Sequence, residues 1–420
     1  MTVRELQWQK LRRLLAIILP ANPFYRARLP RKYKPKSLTD FVTTCPLLTK
    51  ADLARDRAET PPFGTNLTWR LERYTRFCQT SGTTGRPLSW LDTPEDWGAM
   101  LRCWHRVFEK AGLDPRRDRI FFAFSFGPFL GFWTAFEAAV SMGFLSMPGG
   151  SLSTNARLQT IVETSATVLC CTPTYAIRLG EARAEQDLTT TVRLVIVAGE
   201  AGGSIPATRQ RIERLWPGSK VFDHHGLTEA GPVTHEEPGW PGRLRVIEQS
   251  YFAEVIEAQT SQEVEEGEAG ELVLTTLDRA GCPLLRFRTG DRVVKALAED
   301  GGLCLDGGIL NRYDDMVVVR GVNVYPSAIE GVLRRFQEIA EYQVREDWSQ
   351  GMLELRLVVE LVASASADLP RRIEAGLQDA LGLRIPIEVF PLNSLPRFEF
   401  KSRRWIRAPM MGETVGGGFA

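Results

Sequence analysis

A run of eight residues near position 80 combines hydroxyl groups, glycines and one permanent cation: Thr80-Ser81-Gly82-Thr83-Thr84-Gly85-Arg86-Pro87. Glycines let backbone N–H groups approach an anion closely, Ser and Thr hydroxyls donate hydrogen bonds, and an arginine adds a forked set of donors. An ordinary polar surface loop has a similar composition, so the run alone leaves both interpretations open. It is not a Walker A motif, because Arg86 and Pro87 stand where that motif has Lys and then Ser or Thr.

Further motifs decide between these interpretations. The run resembles the phosphate loop of adenylate-forming enzymes, the superfamily of acyl-CoA synthetases, luciferases and peptide-synthetase adenylation domains. Segments that resemble the later motifs of that superfamily follow in the same order: His224-His225-Gly226-Leu227-Thr228-Glu229, Arg288-Thr289-Gly290-Asp291 and Asn311-Arg312-Tyr313-Asp314-Asp315. Each short segment has a plainer explanation as a turn or a surface ion pair. Because several weak motifs in the correct order are much stronger than one, the chain is identified as a member of the superfamily.

The resemblance implies a role for individual residues around a nucleotide. Glu229 is expected to approach Mg²⁺ and the phosphates, and Asp291 to accept hydrogen bonds from the ribose hydroxyls. His225 occupies the place of the usual adenine-stacking Tyr, and it offers less apolar area than Tyr. The implied nucleotide-binding set is Thr80, Ser81, Gly82, Thr83, Thr84, Gly85, Arg86, Gly199, Glu200, Ala201, Asp223, His224, His225, Gly226, Thr228, Glu229, Asp291 and Arg312.

The last hundred residues are implied to carry the moving parts. Leu395 to Lys401 resembles the C-terminal loop whose lysine contacts the reacting carboxylate and the α-phosphate. Phe400 stands where the superfamily normally has glycine, and the two residue types prefer different backbone angles. The resemblance also makes Asp314 the hinge between two domains and puts Gly321 beside a channel for an acceptor thiol. The implied catalytic residues are Lys401, Glu229 and Arg312.

Within the superfamily, the sequence is most similar to phenylacetate–CoA ligases. The likeness begins with Asn22 to Arg26 and Leu47 to Leu53 and continues to Lys401. It implies ATP-dependent activation of an aromatic or apolar carboxylic acid to acyl-AMP, release of pyrophosphate, and transfer to coenzyme A. Two other functions stay open: transfer to a carrier-protein thiol or an amine, and nucleotide binding with little catalysis. The expected cofactors are ATP, Mg²⁺ and, as second substrate, coenzyme A.

An aromatic segment predicts where the acid binds. From Ile120 to Phe136 no residue is charged, and eight are aromatic. Most of these rings are expected in the core, because aromatic-rich strands are usually buried. The part beyond the predicted strand differs, since its glycines leave room beside the rings at a binding edge. The predicted acyl pocket is Phe126, Gly127, Phe129 and Gly131.

The alternation of apolar runs with helical patterns predicts an α/β fold. Candidate parallel strands are Ile120–Phe124, Phe144–Met147, Val168–Thr172, Leu194–Ala198 and Val221–Asp223. We expect a large N-terminal domain, residues 1–313, with mostly parallel sheets and a small β-subdomain. A small α+β lid domain is expected at 314–409 and a flexible tail at 410–420. An amphipathic N-terminal helix with Leu11, Leu14, Leu15 and Ile18 on one face is expected to dock on the body.

Composition fits a cytoplasmic enzyme with a small-molecule acid substrate. The net charge of +1 and the lack of a long apolar run argue against nucleic-acid and membrane partners. Seven cysteines without a Cys-x-x-Cys pair fit buried thiols in a reducing compartment. His235 has no cysteine set near it, so no zinc site is expected. An acyl-carrier protein and a homodimer partner are left open.

Overall fold

The computed structural model describes residues 1–80, 87–124, 126–131, 133–320, 322–349, 352–398 and 403–407. The chain divides into two compact units, Met1–Leu310 and Asn311–Ala420. Several predicted features lie outside the described residues: Ser81, Gly82, Thr83, Thr84, Gly85, Arg86, Gly321, Phe400, Lys401 and the tail 410–420.

The first unit contains nine helices and most of the strands in its described residues. The helices are α1 Val3–Ala21, α2 Pro23–Arg28, α3 Leu38–Thr44, α4 Lys50–Glu59, α5 Pro94–Lys110, α6 Trp133–Ser141, α7 Thr154–Glu163, α8 Pro173–Glu185 and α9 Pro206–Leu215. The strands are β1 Arg76–Gln79, β2 Ser89–Asp92, β3 Arg119–Phe122, β4 Leu145–Pro148, β5 Val168–Cys171, β6 Leu194–Val197, β7 Lys220–Asp223, β8 Gly226–Leu227, β9 Gly231–Pro232, β10 Thr234–Glu237, β11 Trp240–Val246, β12 Tyr251–Ile256, β13 Ala269–Thr276, β14 Phe287–Leu297 and β15 Leu303–Arg312.

Five of these strands form the predicted parallel sheet. Their order is β4-β3-β5-β6-β7, and every neighbouring pair is parallel. Strands β5 and β6 are buried along their whole length. Alternate residues enter separate hydrophobic clusters: Val168 and Cys170 join one, while Leu169 and Cys171 join the other. This follows from the two-residue period of a strand, and it confirms the α/β class.

A second, antiparallel sheet has the order β10-β11-β15-β14-β13-β12. Its strand β14 alternates buried and half-buried residues over most of its length, as expected of a sheet with one face on a core. The acidic segment 263–268 lies in the connection between the antiparallel strands β12 and β13. The sheet is the expected β-subdomain. It has six strands, one more than the parallel sheet.

The N-terminal helix α1 docks as predicted. Thr2 and Glu5 form a capping box at its start. The four apolar residues of its predicted face, Leu11, Leu14, Leu15 and Ile18, are all buried. Gln7 donates from Nε2 to the carbonyls of Glu248 and Tyr251, at 3.2 and 2.9 Å, and so ties the helix to the start of β12. Within the described residues, no helix has the length and apolar character to cross a bilayer.

The second unit is an α+β arrangement. Its elements are β16 Val317–Val319, β17 Val322–Val324, α10 Pro326–Leu333, β18 Ile339–Ser349, β19 Met352–Leu361, α11 Leu369–Leu381, β20 Ile387–Phe390 and β21 Trp405–Ile406. A four-stranded sheet has the order β20-β19-β18-β21. Ile373 and Leu377 of α11 are fully buried, and Gly382 ends the helix in the left-handed region at φ 66°. A glycine in this conformation is a common C-terminal cap of a helix.

Two glycines of this unit provide a matched test of backbone conformation. At Gly382 an added Cβ would meet nothing within 4 Å, but the positive φ disfavours it. At Gly331, inside α10, an added Cβ also meets nothing within 4 Å. We expect Gly382→Ala to lower the free energy of unfolding by about 1 kcal/mol and Gly331→Ala to raise it by about 0.5–1 kcal/mol.

Urea denaturation, monitored by hydrogen exchange of the helix amides of this unit, measures the change in the free energy of unfolding in each variant. Shifts of the same sign in the two variants would contradict the assignment of Gly382 to a left-handed cap.

Candidate active site

Three predicted site segments meet at one edge of the parallel sheet. The segments that begin at Ala123, Ala198 and His224 each follow the carboxyl end of a strand, β3, β6 and β7 respectively. Val197 and Asp223, the last residues of β6 and β7, are direct neighbours in the sheet. Because ligands of open α/β sheets bind beyond the carboxyl ends of the strands, this edge is the candidate active site.

Asp223 and His224 form the buried floor of this edge. Asp223 accepts hydrogen bonds from the Ser204 hydroxyl at 2.5 Å and from the His224 N–H at 2.9 Å. Nδ1 of His224 donates to the Thr234 carbonyl at 2.6 Å, and its ring lies 4.4 Å from the ring of Trp104. Burial raises the pKa of Asp223 and lowers the pKa of His224 to about 3. Both side chains are thus held by the protein itself.

His225 and Asp291 come together although 66 positions separate them in the sequence. Nε2 of His225 lies 3.3 Å from Oδ2 of Asp291, and both side chains are largely buried. The N–H of His225 donates to the Thr234 hydroxyl at 2.9 Å, and the N–H of Asp291 donates to the Thr289 hydroxyl at 3.0 Å. The structure therefore brings the predicted adenine-stacking residue to the predicted ribose-binding carboxylate.

Glu229 lies beside a cation that the motifs did not identify as a site residue. Oε1 of Glu229 is 3.3 Å from Nζ of Lys50, the first residue of α4. The Glu229 side chain is 9% exposed and that of Lys50 is 39% exposed, so the pair opens toward solvent on the lysine side. The backbone carbonyl of Glu229 accepts a short hydrogen bond from Nη1 of Arg279. A distance of 179 residues along the chain left no sequence signal for this contact.

Two guanidinium groups lie over the buried ring of Trp90 in strand β2. Arg57 lies 4.8 Å and Arg279 lies 5.3 Å from the ring centroid. Arg279 is paired with Asp92 through hydrogen bonds of 2.6 and 2.8 Å. Nε and Nη1 of Arg57 are buried and have no hydrogen-bond partner in the part of the chain that the structure describes. Burial lowers the pKa of Arg57, and the carboxylates of Asp56 and Glu229 oppose that shift.

The ends of the predicted phosphate loop are held together. The N–H of Thr80 donates to the Leu88 carbonyl at 3.0 Å, and the N–H of Leu88 donates to the Thr80 hydroxyl at 3.0 Å. Strands β1 and β2 continue this contact as an antiparallel pair, from Gln79 opposite Ser89 to Arg76 opposite Asp92. The residues on either side of the predicted loop, Thr80 and Leu88, are therefore in direct contact, and Leu88 lies two residues before Trp90.

The predicted acyl-pocket residues have different surroundings. Phe126 packs in an aromatic cluster, with ring centroids 4.5 Å from Trp133 and 4.7 Å from Phe124. Phe129 is 50% exposed. An added Cβ at Gly127 would come 2.9 Å from the Phe129 ring, and Gly131 has a φ of 36°. The segment therefore combines a packed aromatic wall with an exposed ring.

The three predicted site residues after β6, Gly199 to Ala201, are fixed by a hydrogen bond to helix α8. Oε1 of Glu200 accepts a hydrogen bond of 2.8 Å from the N–H of Thr174, in the first turn of α8. A carboxylate is favourable at a helix N-terminus. Gly199 precedes it with a φ of 95°, a conformation that glycine adopts without strain. Ala201 follows directly and is half-buried.

In the second unit, two ion pairs with buried carboxylates hold residues on either side of the segment that contains Lys401. Glu360 of β19 accepts from Nη2 of Arg397 at 2.5 Å and from the N–H groups of Asn393 and Leu395. Arg404 donates to Glu341 of β18 at 2.6 and 3.1 Å. Burial alone raises the pKa of Glu360, but these donors bring it below its usual value. Arg397 and Arg404 are thus each anchored to a strand of this unit.

Two other predicted positions of this unit are located by the backbone. Arg312 is the last residue of β15, and Asp314 lies in a 3₁₀ turn, Tyr313–Asp315. Among the described residues, no group of three or more His, Cys, Asp or Glu side chains could hold a metal ion. A Mg²⁺ that arrives with a polyphosphate needs less, because it keeps waters and phosphate oxygens as ligands and takes one or two carboxylates. Glu229 offers one such carboxylate.

Comparison with known proteins identifies the family of the chain. Residues 64–277 match the AMP-binding enzyme family, and residues 321–408 match the AMP-binding enzyme C-terminal domain. The chain belongs to the AMP-binding enzyme family. It is similar to the phenylacetate-coenzyme A ligase of Thermus thermophilus, with 29% identity over 94% of each chain. The phenylacetate-coenzyme A ligase of Escherichia coli K12 is 28% identical over 96% of this chain and 94% of its own length.

A solved structure is also similar to this AMP-binding enzyme over most of its length. It is 2-hydroxyisobutyryl-CoA ligase in the postadenylation state, in complex with 2-HIB-AMP. The TM-score is 0.88 at 26% identity, and the match covers 96% of this chain and 89% of that one. The suspected membership in the adenylate-forming superfamily is therefore confirmed.

The buried histidines predict a pH dependence of stability. Burial lowers the pKa of His224 to about 3 and that of His235 to about 4, whereas an unfolded histidine binds its proton near pH 6.5. The unfolded state therefore takes up protons first as the pH falls. We expect the free energy of unfolding to decrease from about pH 6.5 to pH 5, approaching about 1.4 kcal/mol per pH unit for each histidine.

Urea titrations across this range, on the parent and on His224→Gln, measure the slope. The variant is expected to have the shallower slope, whatever its absolute stability. An identical slope in both proteins would contradict a buried neutral His224.

Proposed function

We propose that this AMP-binding enzyme activates an aromatic or apolar carboxylic acid with ATP and then transfers the acyl group to coenzyme A. The observation that carries the proposal is the meeting of His225, Asp291 and Glu229 around one sheet edge, next to the root of the phosphate loop. The similarity to named CoA ligases over nearly the whole chain supports the same reaction class.

The first step is an attack of the acid on ATP. A carboxylate oxygen forms a bond to the α-phosphorus, and the bond to pyrophosphate breaks, which gives acyl-AMP. Because two anions must meet, the protein has to position and neutralise charge. In the proposal, Ser81, Thr83, Thr84 and Arg86 hold the β- and γ-phosphates and Asp291 binds the ribose. Glu229 would hold Mg²⁺, which would neutralise charge on the phosphates.

We assign Lys50 to the same charge field. Its ammonium group lies 3.3 Å from the Glu229 carboxylate and keeps solvent access. In that position it can contact a phosphate group that approaches Glu229 and add a positive charge there. Arg57 supports the same end of the site, because Nε and Nη1 are buried near the loop root and lack partners among the described residues. A bound pyrophosphate group is a partner of suitable charge.

The second step is transfer to a thiol. The sulfur attacks the acyl carbon, the thiol proton leaves to solvent, and AMP departs. The assignments of Lys401 to the first step, Asp314 to a hinge and Gly321 to the thiol channel stay predictions from the resemblance. A carrier-protein thiol and an amine are the alternative acceptors. For the acid itself, the exposed ring of Phe129 and the aromatic wall at Phe126 support an apolar acyl group.

A two-stage assay tests the function. Acid-dependent exchange of labelled pyrophosphate into ATP, over a panel that includes phenylacetate, benzoate and straight-chain acids, tests the first step. Assays of acyl transfer to coenzyme A, to a carrier protein and to simple amines then identify the acceptor. Lack of exchange with every acid, in protein that binds ATP, would leave only nucleotide binding and overturn the proposal.

Lys50→Met tests the added cation. We expect pyrophosphate exchange to fall by about 10²-fold, the range found when one charge-stabilising donor is removed. Lys220→Met is the matched control, since Lys220 is exposed at the amino end of β7, opposite the site edge. Equal rates in the two variants would exclude Lys50 from the site.

Glu360→Gln tests whether anchoring of residues 393–397 positions the lysine loop. We expect pyrophosphate exchange to slow by about tenfold, because residues 393–397 lose part of their anchor. The consumption of preformed acyl-adenylate by coenzyme A is expected to keep most of its rate. Glu388→Gln, at an exposed position of the neighbouring strand β20, is the control. Equal loss in both half-reactions would indicate general destabilisation of the unit rather than positioning.

A further inference from the structure

A groove in the first unit lies along the N-terminal helix, and no step of the proposed reaction uses it. Residues 6–20 of α1 form one wall and residues 32–36 form the other, around a volume of about 1450 Å³. We call it the basic groove. Six of its lining residues are cations: Lys10, Arg12, Arg13, Lys32, Lys34 and Lys36. None of the lining residues, all of which the structure describes, is acidic.

The net charge of the whole chain conceals a strongly basic N-terminal region, residues 1–36. Residues 1–36 contain ten Lys and Arg residues and one acidic residue, Glu5. The chain total is 52 against 51, so 42 basic and 50 acidic residues are left for the remainder, a net charge of −8. The first 36 residues therefore carry +9, although the protein as a whole carries +1. Such an asymmetry attracts an anionic partner.

Most of the groove cations are not neutralised within the protein. Lys10 is paired with Asp278 at 2.6 Å. In the described chain, no ion pair joins Arg12, Arg13 or the three lysines of the second wall. All five of those side chains are exposed. The rim of the groove thus presents positive charge to whatever enters it.

The floor of the groove is apolar and has the length of a short helix. Trp8 and Leu19 are half-buried and Leu15 is buried, and the three share one face of α1, which we call the apolar strip. Arg12 lies on the same face, between Trp8 and Leu15. Fifteen residues of helix span about 22 Å, and a partner helix of about 14 residues, about 21 Å long, fits within that length. The volume exceeds the range of about 300–1,000 Å³ for small-ligand pockets. A bilayer surface is flat on this scale and would rest on the rim without filling the groove.

We propose that the basic groove binds an amphipathic helix of a partner protein, with an apolar row flanked by Asp and Glu. The apolar row fills the strip along α1, at an i, i+3 or i+4, i+7 spacing. The flanking carboxylates pair with the exposed cations of both walls, which favours acidic over basic partners. This proposal does not depend on the enzyme's reaction.

A synthetic helix of about 14 residues is the probe, with leucines at the i, i+3/i+4, i+7 positions and glutamates on both sides. Binding of the labelled peptide to the full-length protein is followed by fluorescence anisotropy at two salt concentrations. We expect binding that weakens with salt, and a loss of at least about tenfold in the variant Lys32→Glu/Lys34→Glu/Lys36→Glu. Ala16→Glu, at an exposed position of the groove, is expected to weaken binding without burying a charge.

The control variant Arg70→Glu/Arg214→Glu/Lys220→Glu reverses three exposed cations outside the groove and is expected to bind normally. Thermal unfolding and pyrophosphate exchange verify that all variants are folded. Equal binding of a peptide with the same composition in scrambled order would overturn the proposal, because charge alone would then suffice. So would binding to mixed phosphatidylserine–phosphatidylcholine vesicles in place of the peptide, or self-association that the triple reversal abolishes.

Discussion

A buried ion pair between Arg279 and Asp92 holds the candidate site together. The two side chains are 3% and 0% exposed, and they share two hydrogen bonds. Asp92 ends the hairpin of the phosphate loop, while Arg279 follows β13 and also donates to the carbonyl of Glu229. Burial alone would lower the pKa of Arg279, but the Asp92 carboxylate raises it above its usual value. One guanidinium thus joins three segments that are distant in the sequence.

The same region shows why an ion pair is tolerated in the core. A buried charge is costly unless its partner and its remaining hydrogen bonds are supplied. Asp96, in the first turn of α5, forms a capping box with Thr93 and accepts from the N–H groups of Ala280 and Gly281. Both carboxylates therefore hold the segment around Arg279, and the ring of Trp90 covers the guanidinium. The arrangement provides a rigid base for a loop that must hold a highly charged substrate.

The sequence predicted the parts of the fold that depend on local patterns. Strands such as Val168–Cys171 are continuous apolar runs, and the stop of α11 follows from Gly382, so both could be read directly. The candidate site was predictable where a motif names the residue, as at Glu229 and Asp291. Lys50 beside Glu229 could not be predicted, because the contact depends on how α4 packs far from the motif. The basic groove was also missed. The net charge of the whole chain, +1, conceals a charge of +9 on residues 1–36 and of −8 on the remainder.

The seven cysteines, all unpaired, lie deep inside the protein. All of them precede residue 305, so the second unit contains none. Burial raises the pKa of Cys45 and of Cys282 to about 12, which keeps these thiols protonated and slow to react. The native cysteines are therefore expected to react only slowly with thiol-specific reagents. A single cysteine introduced on the surface of either unit would accept a maleimide dye selectively, and a pair of dyes would report the distance between the units during turnover.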